Sequence, residues 1–296
     1  MAPPGLNFWE PNGWRERLFL DGKSTPFSFE VKAMTNIEEI EETQQPKKPL
    51  RFDWVLPVLF RPARALREVV QSESSTWLTP LLLLSLLVVV SALVAGPIRT
   101  QMALSKPPEL PADFQYWSPD AQQKYMEANQ PNTSPLFMVV FPALGALARV
   151  WIGWFLLAAI LHMILTLSGS RGSRSADFSL AGWSMLPYAI RTLVQIGAML
   201  VTHRLISRPG LSGFLPADAT GGLAYLGAFL GLIDLYLIWQ IALLILGASV
   251  GSGLPRARVS GAVAATLLIF LALEALPGFI GAQLSTLTVN RPFFLF

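Results

Sequence analysis

The chain has 296 residues, of which 52% are hydrophobic and only 14% charged, and its formal net charge is +3. Soluble domains carry about 25% charged residues, so this composition leaves too little polar surface for a water-soluble fold. The sequence has no cysteine and two histidines, which excludes disulfides, thiolate chemistry and histidine-rich metal sites. No basic run is long enough to predict nucleic-acid binding, and nothing in the sequence predicts a cofactor.

The first part of the chain, residues 1–50, is polar, rich in proline and charge-clustered. This composition predicts a flexible cytoplasmic tail. Several aromatic residues within it leave open a second interpretation, docking of the tail on the membrane surface or on a partner.

Residues 51–76 carry arginines at three-residue spacing, Arg61, Arg64 and Arg67, with apolar residues between them. This pattern predicts an amphipathic helix at the cytoplasmic interface, its arginines at anionic headgroups and its apolar face in the acyl boundary. A simple lead-in helix to the first span is the alternative. Trp77 follows at the position where a tryptophan anchors a span at headgroup level.

Five long apolar stretches follow. They cover residues 77–98, 136–167, 182–202, 222–249 and 259–281. About 20 helical residues cross the apolar core of a bilayer, and each stretch reaches that length. The sequence therefore predicts an all-α membrane protein with five transmembrane helices and an interfacial helix before the first.

Basic residues are more frequent in the segments on the side of the membrane where the N-terminus lies than in those on the opposite side. By the positive-inside rule, the N-terminus is cytoplasmic and residues 282–296 form an external tail. Residues 99–135 then form an external loop. Within it we expect a short helix over about 119–129, with Ser118 as its cap and Pro119 as its first residue.

The second stretch would make a helix of roughly 48 Å, longer than the roughly 30 Å apolar core. If its cytoplasmic end is near Ser168, Arg149 lies at the outer interface. Beside Trp151 and Trp154, Arg149 is then interpreted as an interface anchor.

Three charged residues lie deep in the predicted spans: Arg191, Asp234 and Glu274. Intramembrane charges are costly and usually pair, and Arg191 has the reach to meet Asp234 or Glu274. Gln195 and Gln240 could join them in a buried polar network. Three interpretations stay open: a structural ion pair that fixes the assembly of spans three to five, a proton or ion relay, and a substrate site.

No catalytic or metal-binding pattern is present: the sequence has no nucleophile motif, no phosphate-binding loop and no HExxH. We therefore expect a protein that is not an enzyme. Gly227 and Gly231, at four-residue spacing, predict a close helix–helix contact.

Five short motifs follow one another along the chain in a characteristic order. They are Leu59-Phe60-Arg61-Pro62, Arg64-Ala65-Leu66-Arg67, Trp77-Leu78-Thr79-Pro80, Leu186-Pro187-Tyr188 and Leu235-Tyr236-Leu237-Ile238-Trp239. Over residues 52–280, this order resembles the Yip-domain (Ypt-interacting protein) family of five-span membrane proteins, in its bacterial type. The long aromatic tail and the enlarged external loop depart from that family.

The resemblance implies five spans, a cytoplasmic N-terminus and no catalytic residues. Eukaryotic members act in vesicle traffic and bind Rab-type GTPases, whereas bacterial members are suspected partners of transport systems. We therefore expect a non-enzymatic scaffold or accessory subunit in the bacterial cytoplasmic (inner) membrane, in contact with lipids and with another membrane protein or a second copy. The alternatives are an ion- or proton-coupled transporter using Arg191, Asp234 and Glu274, and a lipid-binding or curvature protein.

Overall fold

The structure is a computed structural model that describes residues 50–72, 74–106, 110–206, 209–216 and 220–287, with side chains as far as residue 281. All of these residues belong to one unit of the chain, Lys48–Phe296. Residues 1–49 of the predicted tail and residues 288–296 of the predicted external tail lie outside the described residues.

Regular structure in the described residues is helical throughout, which confirms the predicted all-α class. The α-helices are α1 Val55–Phe60, α2 Pro62–Gln71, α3 Leu78–Ser105, α4 Pro119–Ala128, α5 Phe141–Leu167, α6 Arg174–Ser184, α7 Leu186–Thr202, α8 Gly222–Leu230, α9 Leu235–Gly251 and α10 Arg256–Leu287. Three 3₁₀ turns, Phe52–Trp54, Phe114–Tyr116 and Gly210–Phe214, and one π turn, Leu136–Val140, complete the description.

Four helical segments of the described chain are long and apolar enough to cross a membrane: Leu78–Ser105, Leu136–Leu167, Arg174–Thr202 and Arg256–Gly281. A fifth exists if the bent pair Gly222–Leu230 and Leu235–Gly251 is one span. The chain is therefore a multi-pass membrane protein with four to five spans.

The third segment begins at Arg174, earlier than the predicted residue 182, because the polar residues of its first turns are paired with other residues of the protein. Ser175 Oγ lies 2.8 Å from Ser75 Oγ, and Ser179 Oγ accepts a hydrogen bond from the Thr76 backbone N–H at 3.1 Å. Asp177 pairs with a histidine of α5. A hydropathy pattern cannot show such pairing, so these residues are predicted as loop.

The amphipathic helix α2 is confirmed, but its apolar face is buried in the protein. Leu66 and Val69 are fully buried, whereas Arg61, Arg64 and Arg67 are exposed. The buried face packs against α6 and α9. The prediction that this face dips into the acyl boundary is therefore wrong, because neighbouring helices already cover it.

Trp77 packs against other aromatic rings. Its ring centroid lies 4.5 Å from that of Trp154 and 6.3 Å from that of Trp151. Gly182 makes room for this cluster, since a Cβ there would lie 3.2 Å from the Cβ of Trp77. The sequence predicts Trp77 at headgroup level as a lipid anchor, whereas in the structure its half-buried ring packs against the hydrophobic core.

The short helix predicted in the external loop is confirmed as α4. Ser118 Oγ accepts a hydrogen bond from the Ala121 N–H at 3.4 Å, and Pro119 is the first helical residue. The capping signal was sufficient here because it depends only on local geometry.

Candidate functional site

The fourth apolar stretch is two helices, α8 and α9, which meet at an angle of 66°. Asp234 has extended backbone at the break, and its Oδ1 accepts a hydrogen bond from the Leu237 N–H at 3.0 Å. Asp234 therefore caps α9 and does not lie within a continuous helix. Gly231 is an ordinary stop signal at the end of α8, and Asp234 is an ordinary start signal for α9. The helix break was not predicted because both residues lie inside a long apolar stretch.

Arg191 of α7 and Asp234 are brought together by the structure. Arg191 Nη1 lies 3.2 Å from Asp234 Oδ2, and the two side chains are 20% and 13% exposed. The carboxylate thus serves two groups at once, the guanidinium of α7 and the N-terminus of α9. This geometry links the third span to the broken fourth one.

Glu274 of α10 does not pair with Arg191. Its Oε1 accepts a hydrogen bond from Arg149 Nε at 2.8 Å, and the Arg149 side chain remains 60% exposed. The interpretation of Arg149 as an interface anchor is therefore incomplete. Helical rise counted from the ends of the apolar stretches did not predict that Arg149 and Glu274 lie at the same depth. Such a count gives neither the tilt of a helix nor the helix beside it.

Gln240 is buried on α9, and its Oε1 accepts a hydrogen bond from the Tyr188 hydroxyl at 2.9 Å. Tyr188 lies one helical turn before Arg191, whose guanidinium carbon is 6.0 Å from the centroid of the tyrosine ring. Tyr188 was missed as a network member because a tyrosine in an apolar stretch is usually assigned to packing. Gln195, one turn beyond Arg191, lines the same cavity as these residues.

A cavity of about 1110 Å³ lies between α3, α5, α7, α8, α9 and α10. Its charged and amide-bearing lining residues are Arg99, Arg149, Arg191, Gln195, Gln240 and Glu274. The volume is slightly above the usual range of small-molecule sites, about 300–1,000 Å³. Four of the five predicted polar residues, Arg191, Gln195, Gln240 and Glu274, therefore line one space, and Asp234 joins it only through Arg191. Their contacts are two separate ion pairs and one hydrogen bond, not a continuous network.

Gly227 and Gly231 make room for a loop. A Cβ on Gly227 would lie 3.4 Å from Leu215 Cδ1, and one on Gly231 would lie 3.7 Å from the Ser212 Cβ. The predicted helix–helix role of these glycines is wrong, because the turn Gly210–Phe214 and the residue after it occupy that face. The contact of α8 with α10 uses Ala228, which lies 3.5 Å from the Cβ position of Gly278.

The turn Gly210–Phe214 also supplies a hydrogen-bond donor to the backbone at the break between α8 and α9. The Leu211 N–H donates to the Ile233 carbonyl oxygen at 3.1 Å. Gly210 has φ +60°, and a Cβ there would lie 2.6 Å from Ile233 O and 2.9 Å from Gly231 O. Only glycine fits this position without strain.

A second titratable pair joins α5 to α6. His162 Nδ1 lies 2.7 Å from Asp177 Oδ2, and the Asp177 side chain is 8% exposed. Asp177 was missed because it was assigned to a loop. In the parts of the chain that the structure describes, no group of three or more His, Cys, Asp or Glu side chains could hold a metal ion.

Fold and site together define a polytopic helical membrane protein with four to five spans, a bent helix pair α8–α9, and a cavity between these helices that has both polar and apolar walls. The Yip1 domain family matches residues 56–276, about three quarters of the chain, and the chain belongs to this family of membrane proteins linked to trafficking. Searches of curated proteins and of solved structures found no match.

Proposed function

We propose that this protein is a non-enzymatic scaffold or accessory subunit of a membrane transport or trafficking system. The observation that carries the proposal is the exposed row of Arg61, Arg64 and Arg67. Arg61 immediately precedes α2, Arg64 and Arg67 lie on it, and the opposite face of α2 is buried in the core. A row of cations fixed in this way is suited to recognition of an anionic partner. Arg64 has one exposed contact with Glu68 at 3.4 Å.

The interior of the bundle supports the same proposal. Arg191 pairs with Asp234, and Tyr188 bonds Gln240, so both polar contacts join α7 to α9. A buried pair of this kind is costly to break and fixes how helices are arranged. These contacts therefore serve well as structural links within a scaffold.

The proposed location is the bacterial cytoplasmic membrane, with the N-terminus and the arginine row on the cytoplasmic side. Anionic lipid headgroups lie on that side, as do the soluble domains of membrane partners. The proposed contacts of the row are therefore another membrane protein or a second copy of this chain, with lipids as an additional contact.

The test is purification from the native host in nanodiscs, with mass spectrometry of co-purifying proteins. The charge-reversed variant R61E/R64E/R67E is compared with R256E/R258E, which alters two exposed arginines at the start of α10. We expect a stoichiometric partner that the first variant loses and the second retains. Equal partner recovery from all three proteins would contradict the proposal. Selective loss of binding to anionic vesicles, with partner recovery unchanged, would favour the lipid-binding alternative instead.

A second candidate function, ion- or proton-coupled transport, is favoured by the broken fourth span. Substrate sites of transporters commonly form at discontinuous helices, and this break adjoins the cavity. Proteoliposome flux assays with Asp234→Asn and Glu274→Gln test it. Flux that is present in the wild type and lost in folded variants would support transport, and absence of wild-type flux across a panel of ions and protons would exclude it.

A further inference from the structure

Arg99, near the end of α3, is a cavity-lining cation that has no carboxylate partner among the described residues. Its Nη1 donates to the Met138 carbonyl oxygen at 3.0 Å. Pro142, four residues after Met138, has no N–H and so cannot give that carbonyl the usual α-helical hydrogen bond. The other cavity arginines, Arg149 and Arg191, each face a carboxylate. Arg99 therefore brings an uncompensated positive charge to the cavity wall.

The cavity continues from Arg99 into an apolar region. On α3 its lining runs from Arg99 to Leu84, a distance of roughly 22 Å by helical rise. This exceeds half of the roughly 30 Å apolar core of a bilayer. Val88, Leu156 and Phe270 line the apolar region. The other charged residues of the lining, Arg149, Arg191 and Glu274, are already paired. A cation that no described carboxylate pairs at one end, with an apolar strip along α3 and α5 beyond it, matches an amphiphile with an anionic head.

We propose that this cavity binds one anionic phospholipid, with a phosphate oxygen accepting hydrogen bonds from Arg99 and an acyl chain lying along α3 and α5. Arginine binds phosphate through several N–H donors at once, and only one nitrogen of Arg99 is engaged by Met138. Intramembrane charges normally pair, and the phosphate supplies the missing partner. The inference concerns a different surface from the arginine row of α2 and does not rest on the proposed accessory role.

Native mass spectrometry of the full chain released from nanodiscs tests the proposal, using phosphatidylcholine bilayers that contain phosphatidylglycerol. Wild-type protein should retain one phosphatidylglycerol, whereas Arg99→Gln should retain about ten-fold less, the factor that one charge-assisted hydrogen bond contributes. Arg204→Gln is the matched control, because Arg204 is exposed and lies outside the cavity lining. Arg99→Lys, which keeps the charge, should retain intermediate amounts.

Filling the cavity tests the acyl-chain part separately. Gly145 lines the cavity, and a Cβ there meets nothing within 4 Å, as is also true of Gly197 outside the lining. Gly145→Phe should lose the lipid with Arg99 intact, and Gly197→Phe should keep it. Unchanged phosphatidylglycerol retention in folded Arg99→Gln would overturn the proposal. Two results together would show a free-anion site and would also overturn the proposal: millimolar inorganic phosphate displaces phosphatidylglycerol from the wild type, and Gly145→Phe retains as much phosphatidylglycerol as the wild type.

Discussion

The pairing of Arg191 with Asp234 makes a quantitative prediction for single and double variants. The two side chains are 20% and 13% exposed, so Arg191→Met leaves a largely buried carboxylate without its cation. Breaking such a pair costs about 3–5 kcal/mol. We expect about 3 kcal/mol, at the lower end, because Asp234 keeps the hydrogen bond from the Leu237 N–H and some exposure.

The capping role of Asp234 separates two double variants. In R191M/D234N the amide oxygen of asparagine still accepts from the Leu237 N–H, so the stability should return to within about 1 kcal/mol of the wild type. In R191M/D234L the cap is lost as well, which should cost about 1 kcal/mol more. The comparison therefore measures the ion pair and the cap independently.

Equilibrium unfolding in mixed micelles, followed by tryptophan fluorescence, is the appropriate assay. The expected order of unfolding free energy is wild type, R191M/D234N, R191M/D234L and finally R191M alone. A single variant R191M as stable as R191M/D234N would refute the reasoning, since it would mean that the carboxylate of Asp234 does not depend on its cation. Size-exclusion chromatography before unfolding verifies that each variant is folded.

Three further predictions use the same unfolding measurement. Glu274→Gln should cost at most about 1 kcal/mol, since its arginine partner is 60% exposed; a loss as large as that of R191M would contradict this. Gly210→Ala should cost about 2–4 kcal/mol through its positive φ and its close backbone oxygens. Gly213→Ala, in open space, should stay within about 0.5 kcal/mol, and equal losses at both glycines would be against this explanation. His162→Ala should cost about 1–3 kcal/mol, because Asp177 then loses its side-chain partner; unchanged stability would show that the carboxylate is satisfied otherwise.

The sequence was sufficient for features that depend on composition or on local geometry. The five apolar stretches follow from the length of a helix that crosses a bilayer, and the cap at Ser118 follows from side-chain chemistry within one turn. The meeting of Arg191 with Asp234 was among the arrangements considered, because a deep charge needs a partner and few candidates exist.

Features that depend on which helices are neighbours could not be predicted from the sequence. The partner of Glu274 is Arg149, which a count of helical rise assigned to the membrane surface. The apolar face of α2 was predicted to meet lipid because a sequence shows amphipathicity but not which surface covers it. Likewise, the spacing of Gly227 and Gly231 indicates a close approach, but not that a loop is what approaches.

The shortness of α8 has a consequence for how the protein is made. Its nine residues rise roughly 13 Å, less than half of the apolar core, so α8 is too short to cross the membrane as an independent segment. The break that follows α8 is held by the Leu211 N–H, which donates to the Ile233 carbonyl oxygen. The Tyr225 hydroxyl of α8 donates to the Ala272 carbonyl oxygen of α10 at 3.0 Å. Because α10 follows α8 in the chain, this contact of α8 can form only after α10 has been synthesised. The placement of α8 in the membrane therefore depends on tertiary contacts with elements that follow it in the chain, and not on its own hydrophobic length.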